Sequence, residues 1–74
     1  MERLPTLNTR QVIKALKRAG FIEDHQHGSH LYLVHFERHL YTSVPIHPGD
    51  LPRGTVRAII RQSGMTEDEF RELL

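Results

Sequence analysis

The stretch "HQHGSHLYLVHF", from His25 to Phe36, sets four imidazoles into twelve positions around a glycine and a serine. Imidazole gives and takes protons near neutral pH and is a common metal ligand, so two chemistries are open to it. A metal site needs several imidazoles that converge, usually with further ligands. His25 and His27 are two apart and share a face on a strand, and His30 could approach them across a hairpin. Three histidines at a turn tip rarely converge without a carboxylate or a fourth ligand fixed by the core. No metal ligand and no cofactor is therefore assigned. Acid–base chemistry singles out His30, which follows Gly28 and Ser29 directly and begins an apolar run. Gly28 can take φ > 0 and let a ligand approach the backbone, and the N–H groups of such a turn can receive an anionic oxygen. Against this, the sequence shows no nucleophile and no carboxylate partner for His30. His25, His27, His35 and His39 are read as solvent-facing polar residues of hairpins.

The elements that must position these residues follow from local signals. "LNTRQVIKALKRAGF" predicts a helix. Asn8 is its N-cap, Gln11 completes a capping box, and Leu7 and Val12 sit at staple positions. Val12, Ile13, Leu16 and Ala19 form the apolar stripe, and Gly20 ends the helix. Three strand-type runs come next: "FIEDH", "HLYLVHF" and "LYTSVPI", the last stopped or kept at an edge by Pro45. The connections "QHGS" and "ERH" are short enough for hairpins, so the sheet is expected to be antiparallel. A turn-rich loop, "HPGDLPRGT", leads to a second helix with Val56, Ile59 and Ile60 inward, Gly54 and Thr55 as its cap and Gly64 as its stop. "TEDEFRELL" opens with a Thr66–Glu69 capping box, and Phe70, Leu73 and Leu74 form its apolar face.

The order α-β-β-β-α with a short terminal helix is an α+β two-layer domain. In the middle strand Leu31, Leu33 and His35 point one way, and His30, Tyr32, Val34 and Phe36 the other. One set should meet the helices. The other is left without cover, next to His30 and below a basic helix, and an uncovered face of this kind invites a partner.

At 74 residues the chain is expected to be one domain over 1–74. No run approaches the ~20 apolar residues of a membrane span, and "MERLPTLNTRQ" lacks the apolar core of a signal peptide. A cytoplasmic protein with no membrane partner and no small-molecule ligand is expected. The net charge of +1 is unevenly distributed: residues 1–62 hold nine Lys+Arg against five Asp+Glu, and residues 63–74 hold one against four. A basic body is a modest pointer to a polyanion, and eight of the ten basic residues are arginines, which suit bidentate phosphate contacts.

Two motifs carry a resemblance to a known family. The first is Gly20-Phe21 followed by Gly28-Ser29-His30. The second is "VPIHPGDLPRGTVRAIIRQSGMTEDEF", Val44 to Phe70, with Pro45, His47, Leu51, Gly54 and Thr55 at characteristic places. Together they resemble the HicA toxins, small mRNA interferases of toxin–antitoxin pairs, from about Thr9 to Phe70. The chain departs from that pattern at "HQH", where many relatives are basic, and at Leu31, where many are polar.

The resemblance implies a fold like the double-stranded-RNA-binding domain, a catalytic role for His30, mRNA as substrate and a HicB-type antitoxin as inhibitor. It also answers the missing nucleophile, because the 2′-hydroxyl of RNA can itself attack, and the reaction is expected to be metal-independent. His47 is the candidate second acid/base, with His27 or a water as alternatives. Lys14, Lys17, Arg18, Arg53 and Arg57, with the turn of Gly28 and Ser29, are the candidate RNA contacts. A non-catalytic RNA-binding module and a metal- or protein-binding domain are the rival readings.

Overall fold

A computed structural model describes residues 4–74. The elements are α1 (Thr9–Arg18), β1 (Ile22–His27), β2 (His30–His35), β3 (Leu40–Pro45), α2 (Arg53–Gln62) and α3 (Glu67–Arg71). The strands form one antiparallel sheet in the order β1-β2-β3. The expected α+β order of helix, three strands and two further helices is the observed one.

Local chemistry explains the helix starts. Gln11 N–H donates to Asn8 Oδ1 at 2.9 Å, and Asn8 N–H donates to Gln11 Oε1 at 2.9 Å, which satisfies two N-terminal donors of α1 reciprocally. Thr66 and Glu69 do the same for α3. The sequence expectation fails at α2. Its N-cap is Pro52, no side chain caps it, and Gly54 and Thr55 lie inside the first turn. A proline just before the first turn presets an extended entry, so the helix begins without a side-chain cap.

Helices and sheet meet through one apolar layer. Val12, Ala15 and Leu16 of α1, Val56, Ile59 and Ile60 of α2 and Phe70 of α3 pack with Leu31, Leu33 and Val44 of the sheet. The helices lie over β2 and β3, and β1 is exposed along its whole length. As an edge strand it is blunted by Glu23, Asp24 and a bulge between Glu23 and His25. A polar link crosses the layer, where buried Thr42 donates its Oγ1 hydrogen to Gln62 Oε1 at 2.8 Å. Leu4 and Leu51 join this core from outside the regular elements, and Leu51 N–H donates to Leu7 O at 2.8 Å. Of the apolar face expected for α3, Phe70 is buried and Leu73 packs on the core. Leu74 lies past the helix end and is 44% exposed.

His35 also differs from its solvent-facing assignment. It is half-buried, edge-on to Phe21 with ring centroids 5.5 Å apart. Its Nδ1 accepts the Arg38 N–H at 3.2 Å, so the ring's proton sits on Nε2. That nitrogen points at Gly20, where φ is +103° and a Cβ would stand 2.8 Å away. The glycine that ends α1 thus also makes room for an imidazole from β2. Among the described residues, no helix is long and apolar enough to cross a membrane.

Candidate active site

The turn from β1 to β2 is Gly28-Ser29 alone, two residues rather than the four read from the sequence. Gly28 has φ +58°, and positive φ at the first central position is what a tight hairpin of this length favours. The turn sets His30 at the first position of β2, opposite His27 on one side and Pro45 on the other. Ile46 N–H donates to Ser29 O at 2.6 Å, which closes the third strand onto the same turn. Pro45 has no N–H to offer an edge, and its carbonyl accepts the Thr9 hydroxyl at 2.8 Å.

Cross-strand partners share a face, so the register defines what surrounds His30. The open face is a grid of three rows. Ile22, Val34 and Tyr41 form the first, His25, Tyr32 and Ser43 the second, and His27, His30 and Pro45 the third. The bulge at Asp24 puts Ile22, His25 and His27 on this face together; without the extra residue, His25 would turn to the helix side. The face is therefore apolar at the end near Phe36 and rich in imidazole at the Gly28–Ser29 end.

His30 is exposed. It borders a cleft of ≈310 Å³ with Ser43, Pro45, Thr55, Ala58 and Gln62. His27 is its direct cross-strand neighbour, at a Cβ separation of roughly 4.5–5.5 Å for such pairs. His47 lies elsewhere: it lines a second depression with Thr9, Arg10, Ile13 and Ile46. Its backbone N–H donates to Thr9 Oγ1 at 3.3 Å. The structure thus brings His27, and not His47, to the same row as His30. Among the described residues no three histidines or carboxylates are grouped to hold a metal ion. His25 Nδ1 is instead bonded to its neighbour Asp24 at 2.8 Å.

Lys14, Lys17, Arg18, Arg53 and Arg57 are not among the residues that line that cleft, while Gly28 and Ser29 form the turn beside it. Lys14, Lys17 and Arg18 border one shallow depression on α1 with Arg10 and Ile13. Lys17 pairs with Glu23 at 2.5 Å, and Arg18 Nη1 donates to Leu73 O at 2.7 Å. On α2, Arg57 pairs with Glu67 at 3.4 Å. Lys14 and Arg53 have no ion-pair partner among the described residues. No basic helix overhangs the open face. Both long helices pack on the opposite side, where Leu31, Leu33 and Val44 are buried against them.

Sequence reasoning missed Ser43, Thr55 and Gln62 at the cleft, and the row of rings beside it. Period-2 reading of the strands could have found the rings once the hairpin was closed at Gly28–Ser29. The bulge that aligns His25 has no signal in the sequence.

Fold and site together define a small α+β domain with an exposed histidine at a strand start, beside a cleft between sheet and helix. Residues 9–65 match the HicA toxin family of bacterial toxin–antitoxin systems, and the chain belongs to that family. It is a toxin of such a system. The match contains both motifs that carried the resemblance up to Met65. No curated protein matches the chain.

Proposed function

We propose that this toxin is a metal-independent endoribonuclease that cleaves mRNA with His30 as its catalytic residue and is inhibited by a HicB-type antitoxin. The observation that carries the proposal is the setting of His30 in a HicA-family chain: exposed, fixed by the sheet, and directly after the Gly28–Ser29 turn. The RNA supplies its own nucleophile. His30 takes the 2′-hydroxyl proton, the 2′-oxygen bonds to phosphorus, and the 5′-oxygen leaves with a proton from a second acid. The products are a 2′,3′-cyclic phosphate and a 5′-hydroxyl. His27 supports the second role by its place opposite His30, and His47 is the competing assignment. N–H groups of the Gly28–Ser29 turn stabilise charge on the phosphorane-like transition state. Lys14, Lys17, Arg18, Arg53 and Arg57 attract the phosphate backbone from the helix side.

The antitoxin would act by covering the open face and the His30 row. A standard interface of ~800 Å² per partner is enough for that. Induced wild-type protein should arrest bacterial growth, and His30→Ala should not. Purified wild type should cleave RNA in EDTA; cleavage that stops in chelator and returns with zinc or manganese would sink the metal-independent mechanism. His27→Ala and His47→Ala decide the second acid/base by which of them lowers the rate at saturating RNA.

A further inference from the structure

The open face holds a feature that the cleavage step does not use. His25, Tyr32 and Tyr41 come from three different strands and touch in series. The His25 and Tyr32 rings are stacked, with centroids 4.7 Å apart and planes 7° apart. Tyr41 meets Tyr32 edge-on at 5.9 Å and 70°. Tyr32 is held between the other two, while His25 and Tyr41 are exposed. Sheet contacts and the Asp24 bond to His25 fix the row before any ligand arrives.

The nine grid positions hold rings, imidazoles and small or apolar side chains, with no Lys or Arg. None of the nine grid positions carries a carboxylate. Glu23 is turned to Lys17 on the helix side, and Asp24 is engaged with His25. His25 and Tyr32 lie in the cross-strand row next to His27, His30 and Pro45, and Tyr41 one row further out, so a chain that crosses the three rings continues onto His30.

The proposed chemistry itself calls for such a surface. Attack by a 2′-oxygen must be in line with the departing 5′-oxygen, and a base-paired A-form strand holds these atoms far from that alignment. The nucleotides at the scissile bond must be unstacked, and something must receive their bases. Exposed rings on a sheet do this in single-strand binders.

We infer that the His25–Tyr32–Tyr41 row is a stacking platform for unpaired RNA bases next to the bond that His30 cleaves. The inference rests on the endoribonuclease reading of His30. It assigns to the sheet the recognition of a single-stranded segment, which the helical basic residues alone do not provide.

Tyr32 and Tyr41 are the only tyrosines, and the chain has no tryptophan, so intrinsic emission reports the platform directly. The probe is an eight-nucleotide 2′-O-methyl RNA, which lacks the attacking hydroxyl and cannot be cleaved. Titrated into wild-type protein, it should quench tyrosine emission saturably. An oligomer of the same length with abasic sites at its centre should bind about tenfold more weakly or worse, and quench little. Tyr41→Leu should weaken binding of the intact probe by a similar factor, and Tyr41→Phe should restore it. Equal affinity for intact and abasic probes, or an unchanged affinity in Tyr41→Leu, would overturn the platform. So would a Tyr41→Leu protein that loses only its hold on the purified antitoxin, since the row would then be a protein contact. RNA cleavage by wild type is measured in parallel. If wild type cleaves and the platform variants cleave unchanged, the platform is wrong and the nuclease stands; if wild type does not cleave, the nuclease itself falls.

Discussion

On the covered side of the sheet, Leu31, Leu33, Thr42 and Val44 are 7, 0, 3 and 0% exposed. On the open side, the residues that alternate with them are half-buried or exposed: His30, Tyr32 and Val34 in β2, and Tyr41, Ser43 and Pro45 in β3. The same six-residue strands thus carry two separable programmes, because successive side chains leave a strand on opposite faces. The covered set satisfies helices and makes the fold. The open set meets α2 only at one edge, where His30, Ser43 and Pro45 border the cleft, yet it is not a random polar surface, since it holds aligned rings and imidazoles. Substitutions on the two faces should therefore fail in different assays.

The largest expected effect is on the open face. His30→Ala should lower the cleavage rate by about 10²–10⁴, the usual worth of a positioned acid or base. Its unfolding free energy should stay within ~0.5 kcal/mol of wild type, as for an exposed residue outside the core. A urea melt beside a single-turnover assay checks both halves. Comparable losses in both would show that the faces are not separable.

Leu33→Ala is the mirror experiment. Leu33 is fully buried at the centre of the middle strand, and its truncation should cost about 2–5 kcal/mol. In a domain of this size that is a large part of the total stability. The urea midpoint should fall sharply, and activity per folded molecule should survive under stabilising conditions. Loss of activity in folded Leu33→Ala would mean that the covered face also shapes the site.

Gly20→Ala probes the seam between the two programmes. Alanine at φ +103° is strained, and its Cβ would press on His35 Nε2. A destabilisation of about 1–3 kcal/mol is expected, by thermal or urea unfolding. Replacing His35 by a smaller residue should recover the steric part of that loss but not the backbone part. If Gly20→Ala is neutral, the packing of His35 on the α1–β1 junction does not restrict that position.

How much of this the sequence shows depends on range. Both capping boxes are legible because they need only residues three apart, Asn8 with Gln11 and Thr66 with Glu69. The strand order follows from short connections, and the uncovered face from period-2 alternation. What is hidden depends on contacts distant in sequence. His35 looks like a hairpin histidine until Gly20 and Phe21 are brought against it. The start of α2 looks capped by Gly54 and Thr55, but the chain enters through Pro52 and gains its seat from burial of Val56 and Ile59. The His25–Tyr32–Tyr41 row needs a bulge at Asp24 to align it. His30 is legible by its motif, while its neighbour on the same row, His27, becomes evident only from the register.

The smallest effect concerns pH and belongs to the covered side. Glu69 accepts the Thr66 N–H at 2.8 Å, and this backbone bond, with help from the Thr66 hydroxyl, holds its carboxyl below the ordinary value of 4.5. The bonds favour the ionised form, so the folded state binds the proton less readily than the unfolded one. The stabilisation is therefore complete above about 4.5 and is lost as the pH falls through the depressed folded value. The cap fixes α3, which buries Phe70 under the covered face. Glu69→Gln keeps an acceptor for the Thr66 N–H but removes the titration. Unfolding midpoints measured from pH 6 down to pH 3 should fall less steeply in Glu69→Gln than in wild type, and the two curves should converge in acid. Parallel curves would show that the Glu69 carboxyl contributes nothing pH-dependent to the fold, and that the acid sensitivity of the covered side lies in other groups.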